Sequence, residues 1–279
     1  MEDFYNHKLE ILKKLKIHNP ELDLRMMINS SLKKNNYYFI NELNIEDIKI
    51  NKFNDYFKRR IKGEPVSKIL NNKEFWSLNF YTNKYVLDPR PETEFIIESI
   101  MKYNKNKSEE LSFCDLGTGS GCIIISILKH YYNSTGVGID ISKDAIKVAK
   151  RNSNKHNISK RLKLIWGDWN SLNNKYDIIF SNPPYIKLRD LTKLQQEVKF
   201  FDPVISLNGG KDGLESFRDI SLIINRYMKN SSIFLLEIGQ NQMKDVENIF
   251  YTKNLQLIEV IRDLQGIERV MIFNKAQKV

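Results

Sequence analysis

The stretch Phe113-Cys114-Asp115-Leu116-Gly117-Thr118-Gly119-Ser120-Gly121 decides the fold of this chain. Its first half is mostly apolar, as expected of a buried strand, and the apolar residues from Cys122 to Tyr132 recur at helical spacing. The glycines between them lack a Cβ, so the backbone of this turn can approach a ligand closely. A purely structural turn is the alternative. The pattern predicts a nucleoside-type cofactor at Gly117, Thr118, Gly119, Ser120 and Gly121.

The glycine pattern differs from two other nucleotide-binding motifs. Cys122 occupies the position at which Gly-x-Gly-x-x-Gly requires its third glycine, and the Lys-Ser/Thr pair of a phosphate-binding loop is missing. The start of the following helix can instead face a cofactor carboxylate, because its free backbone N–H groups attract anions. The pattern therefore disfavours a nicotinamide-dependent oxidoreductase.

Acidic residues follow the next two predicted strands. Asp140 comes at the end of one strand, about 20 residues beyond the glycines, where an acid in such folds accepts the ribose hydroxyls. It could also cap the helix that begins near Ser142. One strand later, Asp168 can accept from an adenine amino group while Trp169 packs on the ring. A plain surface turn with one core tryptophan is the other interpretation of that pair.

The motif Ser181-Asn182-Pro183-Pro184-Tyr185 follows an apolar strand and so lies at the carboxyl edge of the predicted sheet, where ligands bind in open α/β folds. An amide nitrogen is a poor nucleophile because its lone pair is delocalised. A catalyst that methylates such a nitrogen from a sulfonium donor therefore has to hold both N–H bonds and direct the nitrogen at the sulfonium methyl group. The Asn182 side-chain oxygen and the Pro183 carbonyl can accept those N–H groups, and Tyr185 can cover the planar group. Proximity and orientation would then supply most of the rate.

Elsewhere, apolar runs alternate with amphipathic stretches. Such a βαβ series predicts an α/β fold with a Rossmann-like, mostly parallel sheet and helices on both faces. Near the end, two runs separated by Gln265-Gly266 predict an antiparallel pair at the sheet edge. The predicted strands are Leu111 to Leu116, Thr135 to Ile141, Leu162 to Ile165, Tyr176 to Phe180, Ser232 to Ile238, Leu255 to Asp263 and Arg269 to Asn274.

The chain before residue 88 has a different pattern. Apolar residues recur at helical spacing through about residue 70, which predicts a small helical domain over residues 1–73. Aromatic residues alternate from Phe75 to Tyr81, then come the polar Thr82-Asn83-Lys84 and the apolar Tyr85-Val86-Leu87. This order predicts a β-hairpin over residues 74–87 that links the domains. The catalytic domain is predicted over residues 88–279.

Composition is that of a globular protein. Hydrophobic residues make up 41% and charged residues 28% of the chain, and no apolar run approaches the roughly 20 residues that span a bilayer. No basic, apolar leader is present, so a cytoplasmic protein without a membrane partner is expected. The net charge of +10 comes from lysines spread along the chain. Their spread favours a general compositional bias over an RNA partner, which is the alternative.

Cysteine and histidine residues offer no recognisable reactive group. Cys114 and Cys122 match no metal-ligand or redox spacing and are predicted to be core residues. The four histidines are scattered singly. No metal site is predicted.

Asn-Pro-Pro-Tyr at 182–185, after Asp-Leu-Gly-x-Gly-x-Gly at 115–121, resembles amino methyltransferases acting on exocyclic or amide nitrogens. Nearly end to end, the chain is similar to the HemK/PrmC glutamine N5-methyltransferases, which modify the Gly-Gly-Gln loop of class 1 peptide chain release factors. Further shared segments are Gly63-Glu64-Pro65, Glu74 to Leu78, Asp88 to Glu94, Asp202-Pro203 with Gly210 to Leu214, Glu237-Ile238-Gly239 and Asp263 to Arg269. The departures are Asp202, where the family tends to have Glu, and Asp88, where it has an apolar residue.

The resemblance implies a class I methyltransferase domain and a helical domain that helps to grip the release factor. It implies S-adenosylmethionine as the cofactor and S-adenosylhomocysteine as its product, with no requirement for nucleic acid. The segment from Arg90 to Glu94 favours the release-factor enzyme, since sister enzymes that methylate a ribosomal-protein glutamine usually carry Ser-Pro-Ile-Ala-Glu there. Cofactor contacts are implied at Gly117 to Gly121, Asp140, Trp169 and Asn182, and substrate contacts at Arg90, Glu92, Asn182, Pro183, Pro184 and Tyr185.

Rival functions remain open on the sequence. An enzyme methylating the N6 atom of adenine in nucleic acid uses the same Asn-Pro-Pro-Tyr motif, but it usually carries a basic recognition region, and no segment here is that basic. A ribosomal-protein glutamine methyltransferase is the second alternative. The intact acceptors at Asn182 disfavour a third, a binding module that has lost catalysis.

Overall fold

The computed structural model describes residues 1–34 and 42–276, which form two compact units. One comprises Met1–Asn72 and Gln195–Phe201, the other Lys73–Leu194 and Asp202–Val279. Labels run in chain order through both units. The helices are α1 Glu2–Lys14, α2 Pro20–Ser30, α3 Ile50–Ile61, α4 Val66–Leu70, α5 Glu94–Tyr103, α6 Cys122–His130, α7 Lys143–Lys155, α8 Gln196–Phe201, α9 Glu215–Tyr227 and α10 Met243–Tyr251. The strands are β1 Lys73–Phe75, β2 Leu78–Phe80, β3 Ser112–Leu116, β4 Thr135–Asp140, β5 Leu162–Trp166, β6 Tyr176–Ser181, β7 Met228–Glu237, β8 Leu255–Arg262 and β9 Glu268–Lys275.

The first unit is helical and contains α1 to α4 and α8. Pro20 begins α2, where its missing N–H costs no hydrogen bond. On α3, Phe53, Phe57 and Arg60 are buried at helical spacing. The Arg60 guanidinium is 2% exposed and donates to Asp23 on α2 and to Glu197 on α8. This buried cation ties the later segment Gln195–Phe201 to the unit, a segment that the predicted helical domain over residues 1–73 did not include.

The second unit is built on a sheet of seven strands within the described residues, in the order β5-β4-β3-β6-β7-β9-β8. Strands β3 to β7 pair in parallel, and β9 runs antiparallel to both β7 and β8. Successive residues of β3 enter different core layers, Phe113 on one face and Cys114 on the other, as the period of two in a strand requires. The predicted α/β fold and its antiparallel edge are confirmed.

The carboxyl ends of the central strands meet at one edge of this sheet. Leu116, at the end of β3, pairs with Ile139 of β4 on one side and with Ser181 of β6 on the other. The turn after β3, Asp140 and Asn182 therefore lie next to one another.

Predicted strand ends are correct to within one residue for β3 to β6, whereas β7 begins at Met228 rather than Ser232.

The hairpin was predicted with the wrong turn. It lies between β1 and β2, and Phe75 pairs with Leu78 across a two-residue turn at Trp76 and Ser77, both with positive φ (51° and 56°). Such turns are usually marked by Asn-Gly, a signal that is missing here. A tertiary contact stabilises it instead, because the Glu94 carboxylate accepts the Trp76 N–H at 2.8 Å. The predicted second strand at 85–87 is a loop.

None of the helices in the described part of the chain is both long enough and apolar enough to span a bilayer.

Candidate functional site

A cavity of about 660 Å³ opens at the carboxyl edge of the parallel strands, within the size range of small-molecule sites. The loops after β3, β4, β5 and β6 all contribute to its wall. The predicted site residues that line it are Arg90, Gly117, Thr118, Gly119, Ser120, Asp140, Asp168, Trp169, Asn182, Pro183 and Pro184. Glu92, Gly121 and Tyr185 do not line it.

The turn after β3 is held by backbone and carboxylate contacts. The N–H groups of Gly117 and Thr118 both donate to the Ile139 carbonyl, at 2.9 Å each. Gly117, Gly119 and Gly121 have φ values of 81°, 55° and 79°, which favour glycine. Gly121 is the residue before α6, and a Cβ there would meet Ile125 at 3.0 Å. Gly121 thus closes the turn against the core, while Gly117 to Ser120 line the cavity.

Both carboxylate oxygens of Asp140 accept hydrogen bonds from the backbone. Oδ2 accepts the Gly119 N–H and Oδ1 accepts the Ser142 N–H, each at 2.8 Å. The helix cap itself is Ser142, whose hydroxyl accepts the Ala145 N–H. Burial raises the pKa of Asp140, and the two backbone donors oppose that rise. Because a carboxylate can accept about four hydrogen bonds, a diol such as ribose can still bind and would offset the lost hydration.

A second buried acid supports the same turn. Asp115 at the end of β3 accepts the Thr118 hydroxyl at 2.7 Å, and burial raises its pKa to about 7.

Asp168 and Trp169 follow β5. The Asp168 carboxylate is exposed and accepts the Asn170 N–H, whereas Trp169 packs against the core and lines the cavity. The polar and apolar residues needed to hold a nucleoside are therefore both present.

Asn182 presents an oriented amide at the end of β6. Its Nδ2 atom donates to the Thr93 hydroxyl oxygen at 3.0 Å. Neither Oδ1 of Asn182 nor the Pro183 carbonyl has a hydrogen-bond partner within residues 1–34 and 42–276. Two acceptors in consecutive residues are thus available to the N–H groups of a ligand. Thr93 lies 89 positions away and was not among the predicted site residues. Its only signal in the sequence is its place within the shared segment from Asp88 to Glu94.

Tyr185 is oriented away from the cavity wall by contacts that the sequence did not reveal. Its hydroxyl donates to Glu237 Oε1 at 3.3 Å, its carbonyl accepts the Gln242 side-chain N–H at 3.0 Å, and its ring packs against the core. Glu237 ends β7 and is 2% exposed. Burial raises the pKa of Glu237 to about 7, and hydrogen bonds from the Thr93 and Tyr185 hydroxyls oppose the rise.

Arg90 and Glu92 occupy different surroundings although they are two residues apart. The Arg90 guanidinium lines the cavity and donates to the buried Asp202 carboxylate at 2.6 Å. Glu92 is half-buried outside the cavity wall, and its charge acts on Glu237 by raising the pKa of that carboxyl. Arg90 is therefore available to a ligand in the cavity.

The described part of the chain shows neither an exposed cysteine nor a metal-binding cluster. Both cysteines are free and buried, and burial raises the pKa of Cys122 to about 12, which keeps it a thiol. No group of three or more His, Cys, Asp or Glu side chains among the described residues is arranged to hold a metal ion.

Gly138→Ala should weaken cofactor binding through the Thr118 side chain. A Cβ at Gly138 on β4 would lie 2.8 Å from the Thr118 hydroxyl and 3.1 Å from Leu164, so Thr118 would have to leave Asp115. We expect calorimetry to show at least a tenfold loss of S-adenosylmethionine affinity, roughly 1.4 kcal/mol.

Gly136→Ala is the matched control for that substitution. On the same strand, the atoms nearest to its Cβ would belong to the apolar side chains of Ile124 and Leu128, at 2.9 and 3.1 Å. Both variants should lose about 1–3 kcal/mol of stability by overpacking, but only Gly138→Ala should lose cofactor affinity. Equal affinities in the two variants would contradict the role given to Thr118.

Comparison with known proteins finds two family matches in separate parts of the chain. The family described as "Methyltransferase domain" matches residues 107–271, and "PrmC N-terminal domain" matches residues 5–70. The release factor glutamine methyltransferase of Caulobacter vibrioides is 34% identical over 267 residues, covering 94% of this chain and 91% of that protein. The enzyme of that name from Thermodesulfovibrio yellowstonii is 38% identical over 224 residues, covering 80% of each chain.

A solved structure supports the fold alone. The ribosomal protein L11 methylase from Lactobacillus delbrueckii subsp. bulgaricus aligns with a TM-score of 0.53 at 15% identity, covering 69% of this chain and 82% of that one.

The expected class I methyltransferase fold and the use of S-adenosylmethionine as methyl donor follow from the matched domain and the relatives. With its sheet-edge cavity, its oriented amide and relatives over most of its length, this chain belongs to the HemK/PrmC family of release factor glutamine methyltransferases.

Proposed function

We propose that this protein transfers a methyl group from S-adenosylmethionine to the side-chain amide nitrogen, N5, of the glutamine in the Gly-Gly-Gln motif of class 1 peptide chain release factors. The observation that carries the proposal is the pair of available acceptors, Asn182 Oδ1 and the Pro183 carbonyl, on the cavity wall. A primary amide has two N–H donors on one nitrogen, and two acceptors side by side match them.

The cofactor supplies a methyl group on a positively charged sulfur. The residues that would hold it are Gly117 to Ser120, Asp140, Asp168 and Trp169, which line one continuous cavity with Asn182. The carboxylates of Asp140 and Asp168 on the cavity wall would favour binding of a cationic cofactor, and the partly apolar wall would exclude water from the transfer.

Asn182 and Pro183 would act on the glutamine by orientation. When both N–H bonds are held, the nitrogen lone pair can be directed at the methyl carbon, so proximity and alignment provide most of the acceleration. As the N–C bond forms, the bond between the methyl carbon and the cofactor sulfur would break, and its electron pair would stay on sulfur to give S-adenosylhomocysteine. Positive charge would develop on nitrogen, and the two acceptor oxygens would stabilise it until one N–H proton passes to solvent. In this proposal Pro184 shapes the turn and Arg90 contacts the substrate at the rim of the cavity.

The helical unit supports the choice of a protein substrate. A separate "PrmC N-terminal domain" matches residues 5–70. Relatives named release factor glutamine methyltransferase align with most of this chain. We propose that residues 1–73 help to bind the release factor, that residues 74–87 link the domains and that residues 88–279 catalyse. The charge of +10 is spread along the chain and gives no support to a nucleic-acid substrate.

Mass spectrometry of the acceptor tests the function. The purified protein is incubated with S-adenosylmethionine and a class 1 release factor, and in parallel with a ribosomal protein or an adenine-rich DNA or tRNA. We expect one added methyl group on the Gly-Gly-Gln glutamine and on no other acceptor. Transfer to nucleic acid alone would overturn the substrate and leave the cofactor assignment, and transfer to the ribosomal protein alone would favour the sister activity.

A further inference from the structure

The side-chain amide of Gln242 joins three segments of the chain around the Asn182–Tyr185 turn. Its Oε1 atom accepts the Gly239 N–H at 2.8 Å, and its Nε2 atom donates to the carbonyl oxygens of Tyr185 at 3.0 Å and Gly213 at 3.1 Å. The residue is 6% exposed and immediately precedes α10. A primary amide has two N–H groups, and both are used here. Gln242 therefore binds the surrounding backbone rather than a ligand.

Only one orientation of the Gln242 amide fits its partners. The reverse orientation would put the NH₂ group against the Gly239 N–H and the oxygen against two carbonyl oxygens, so every contact would be repulsive. A buried carbonyl that loses its donor also pays the cost of its lost hydration. The backbone around Gln242 thus fixes its two donors, and these in turn hold the Tyr185 carbonyl at a defined position.

Three glycines let neighbouring backbone approach Tyr185 closely. A Cβ at Gly209 would lie 2.7 Å from the Tyr185 Cα atom, and one at Gly213 would lie 2.6 Å from the Tyr185 carbonyl oxygen. A Cβ at Gly239 would lie 2.9 Å from the Cδ2 atom of the Tyr185 ring. Contacts this close surround the residue on several sides, and a packed interior resists displacement. Tyr185 therefore has little room in which to move.

The chain is anchored on either side of the turn. Before the turn, the Ser181 hydroxyl at the end of β6 donates to the Leu116 carbonyl of β3 at 2.6 Å. After the turn, the Ile186 N–H donates to the Leu207 carbonyl at 3.0 Å, and the Ile186 carbonyl accepts the Gly209 N–H at 2.8 Å. The residues between these anchors take their positions from both ends.

Two prolines make the turn between the anchors stiff. The rings of Pro183 and Pro184 fix φ at about −65° and leave neither residue an N–H to donate. Because the turn cannot hold itself through backbone N–H groups at these positions, the direction of the Pro183 carbonyl depends on where the two ends are held. That carbonyl is one of the two acceptors proposed for the glutamine N–H groups. A shift of Tyr185 would therefore turn an acceptor away from the substrate.

We propose that Gln242 is a positioning residue for methyl transfer, which holds the Tyr185 carbonyl and thereby keeps the Pro183 carbonyl directed at a substrate N–H. The proposal rests on the proposed function, since it explains how an acceptor for the glutamine amide is kept in place. Gln242 does not line the cavity, so it acts without touching substrate or cofactor. The cofactor-binding turn has its own contacts, to Ile139 and Asp140. Loss of Gln242 should therefore lower kcat and leave cofactor affinity unchanged.

Gln242→Met and Gln242→Glu test the proposal in the full-length protein with a release factor as acceptor. Methionine is similar in length but has no N–H, and glutamate keeps the acceptor for Gly239 but sets an oxygen against two carbonyls. We expect each variant to lower kcat about 10- to 100-fold, since orientation provides most of the rate. Calorimetry should show cofactor affinities equal to that of wild type. Gln256→Glu, at an exposed position of β8, is the matched control and should leave both quantities unchanged.

Gly213→Ala tests the same contact from its other side. The new Cβ would lie 2.6 Å from the Tyr185 oxygen and 2.9 Å from Nε2 of Gln242, and should separate the two. We expect the same loss of kcat with unchanged cofactor affinity. Gly266→Ala is its control, because Gly266 has nearly the same φ, 79° against 80°, while no atom of the described chain lies within 4 Å of its Cβ. It should keep the kcat of wild type.

Thermal unfolding of every variant separates misplacement from misfolding, and Gly213→Ala decides the matter if neither Gln242 variant folds. Wild-type kcat in a folded Gln242 variant, or an equal loss of kcat and of cofactor affinity, would overturn the proposal. Failure of the proposed function shows separately, in the wild-type protein. If wild type methylates adenine rather than the release factor, the same variants are compared on that amino group, which also offers two N–H groups.

Discussion

Asn182→Ala is expected to lower the rate of methyl transfer at least about 100-fold while S-adenosylmethionine affinity stays within about tenfold of wild type. The substitution removes Oδ1, one of the two acceptors on the cavity wall that we propose for the substrate N–H groups. The cofactor keeps its main contacts, because Asp140 and the turn after β3 are held by their own backbone hydrogen bonds. Single-turnover rates on a release factor and calorimetric titration of the cofactor measure the two quantities separately.

Asn248→Ala, on an exposed face of α10, is the matched control and should leave both quantities unchanged. Asn182→Asp refines the test. It keeps an acceptor oxygen but has no N–H for Thr93, so its rate should fall below that of wild type and its cofactor affinity should follow that of Asn182→Ala. Wild-type transfer rates in Asn182→Ala would remove Asn182 from the catalytic role proposed for it.

Asp140→Ala is expected to weaken S-adenosylmethionine binding about 100-fold or more. Two hydrogen bonds from ribose hydroxyls to a carboxylate would be lost, and hydrogen bonds to charged groups contribute about 1.5–3 kcal/mol each. The substitution also removes the acceptor for the Gly119 and Ser142 N–H groups, so the turn itself loses support. Calorimetry or equilibrium dialysis of the cofactor measures the effect, and kcat at saturating cofactor should change much less.

Asp144→Asn provides the control, since Asp144 is a nearby half-buried acid of α7 that pairs with Lys147. Its cofactor affinity should equal that of wild type. Asp140→Asn keeps one acceptor oxygen and should fall between Asp140→Ala and wild type. Unchanged affinity in Asp140→Ala together with a lower kcat would move Asp140 from cofactor binding to catalysis.

Local signals accounted for the central part of the site. The glycine turn, Asp140 and Asn182 each follow an apolar run that forms a strand, and parallel strands bring their carboxyl ends to one sheet edge. Their sequence positions were therefore enough to predict that Gly117, Asp140 and Asn182 are neighbours. The same reasoning succeeded for the antiparallel pair β8 and β9, which a glycine at 266 separates.

Contacts between distant segments could not be predicted in this way. Pairing of Thr93 with Asn182, of Tyr185 with Glu237 and of Arg60 with Glu197 joins residues 89, 52 and 137 positions apart. Hydrogen bonds of this kind depend on where side chains arrive after packing, and the residue types involved occur throughout the chain. The hairpin turn at Trp76 and Ser77 was misplaced for the same reason, because Glu94 stabilises it from outside the hairpin.

By itself the sequence determined the order of the strands in the parallel part of the chain, the sheet edge that carries the cavity and the two neighbouring acceptors at Asn182 and Pro183, because these follow from periodicity, glycine placement and residues adjacent in the chain. Tertiary structure alone decided which way the Asn182 amide faces, that Tyr185 is held by Glu237 and that Gln195–Phe201 packs with the helical unit. The physical reason is that an amide or a hydroxyl has no preferred partner until packing brings a donor or an acceptor within about 3 Å of it.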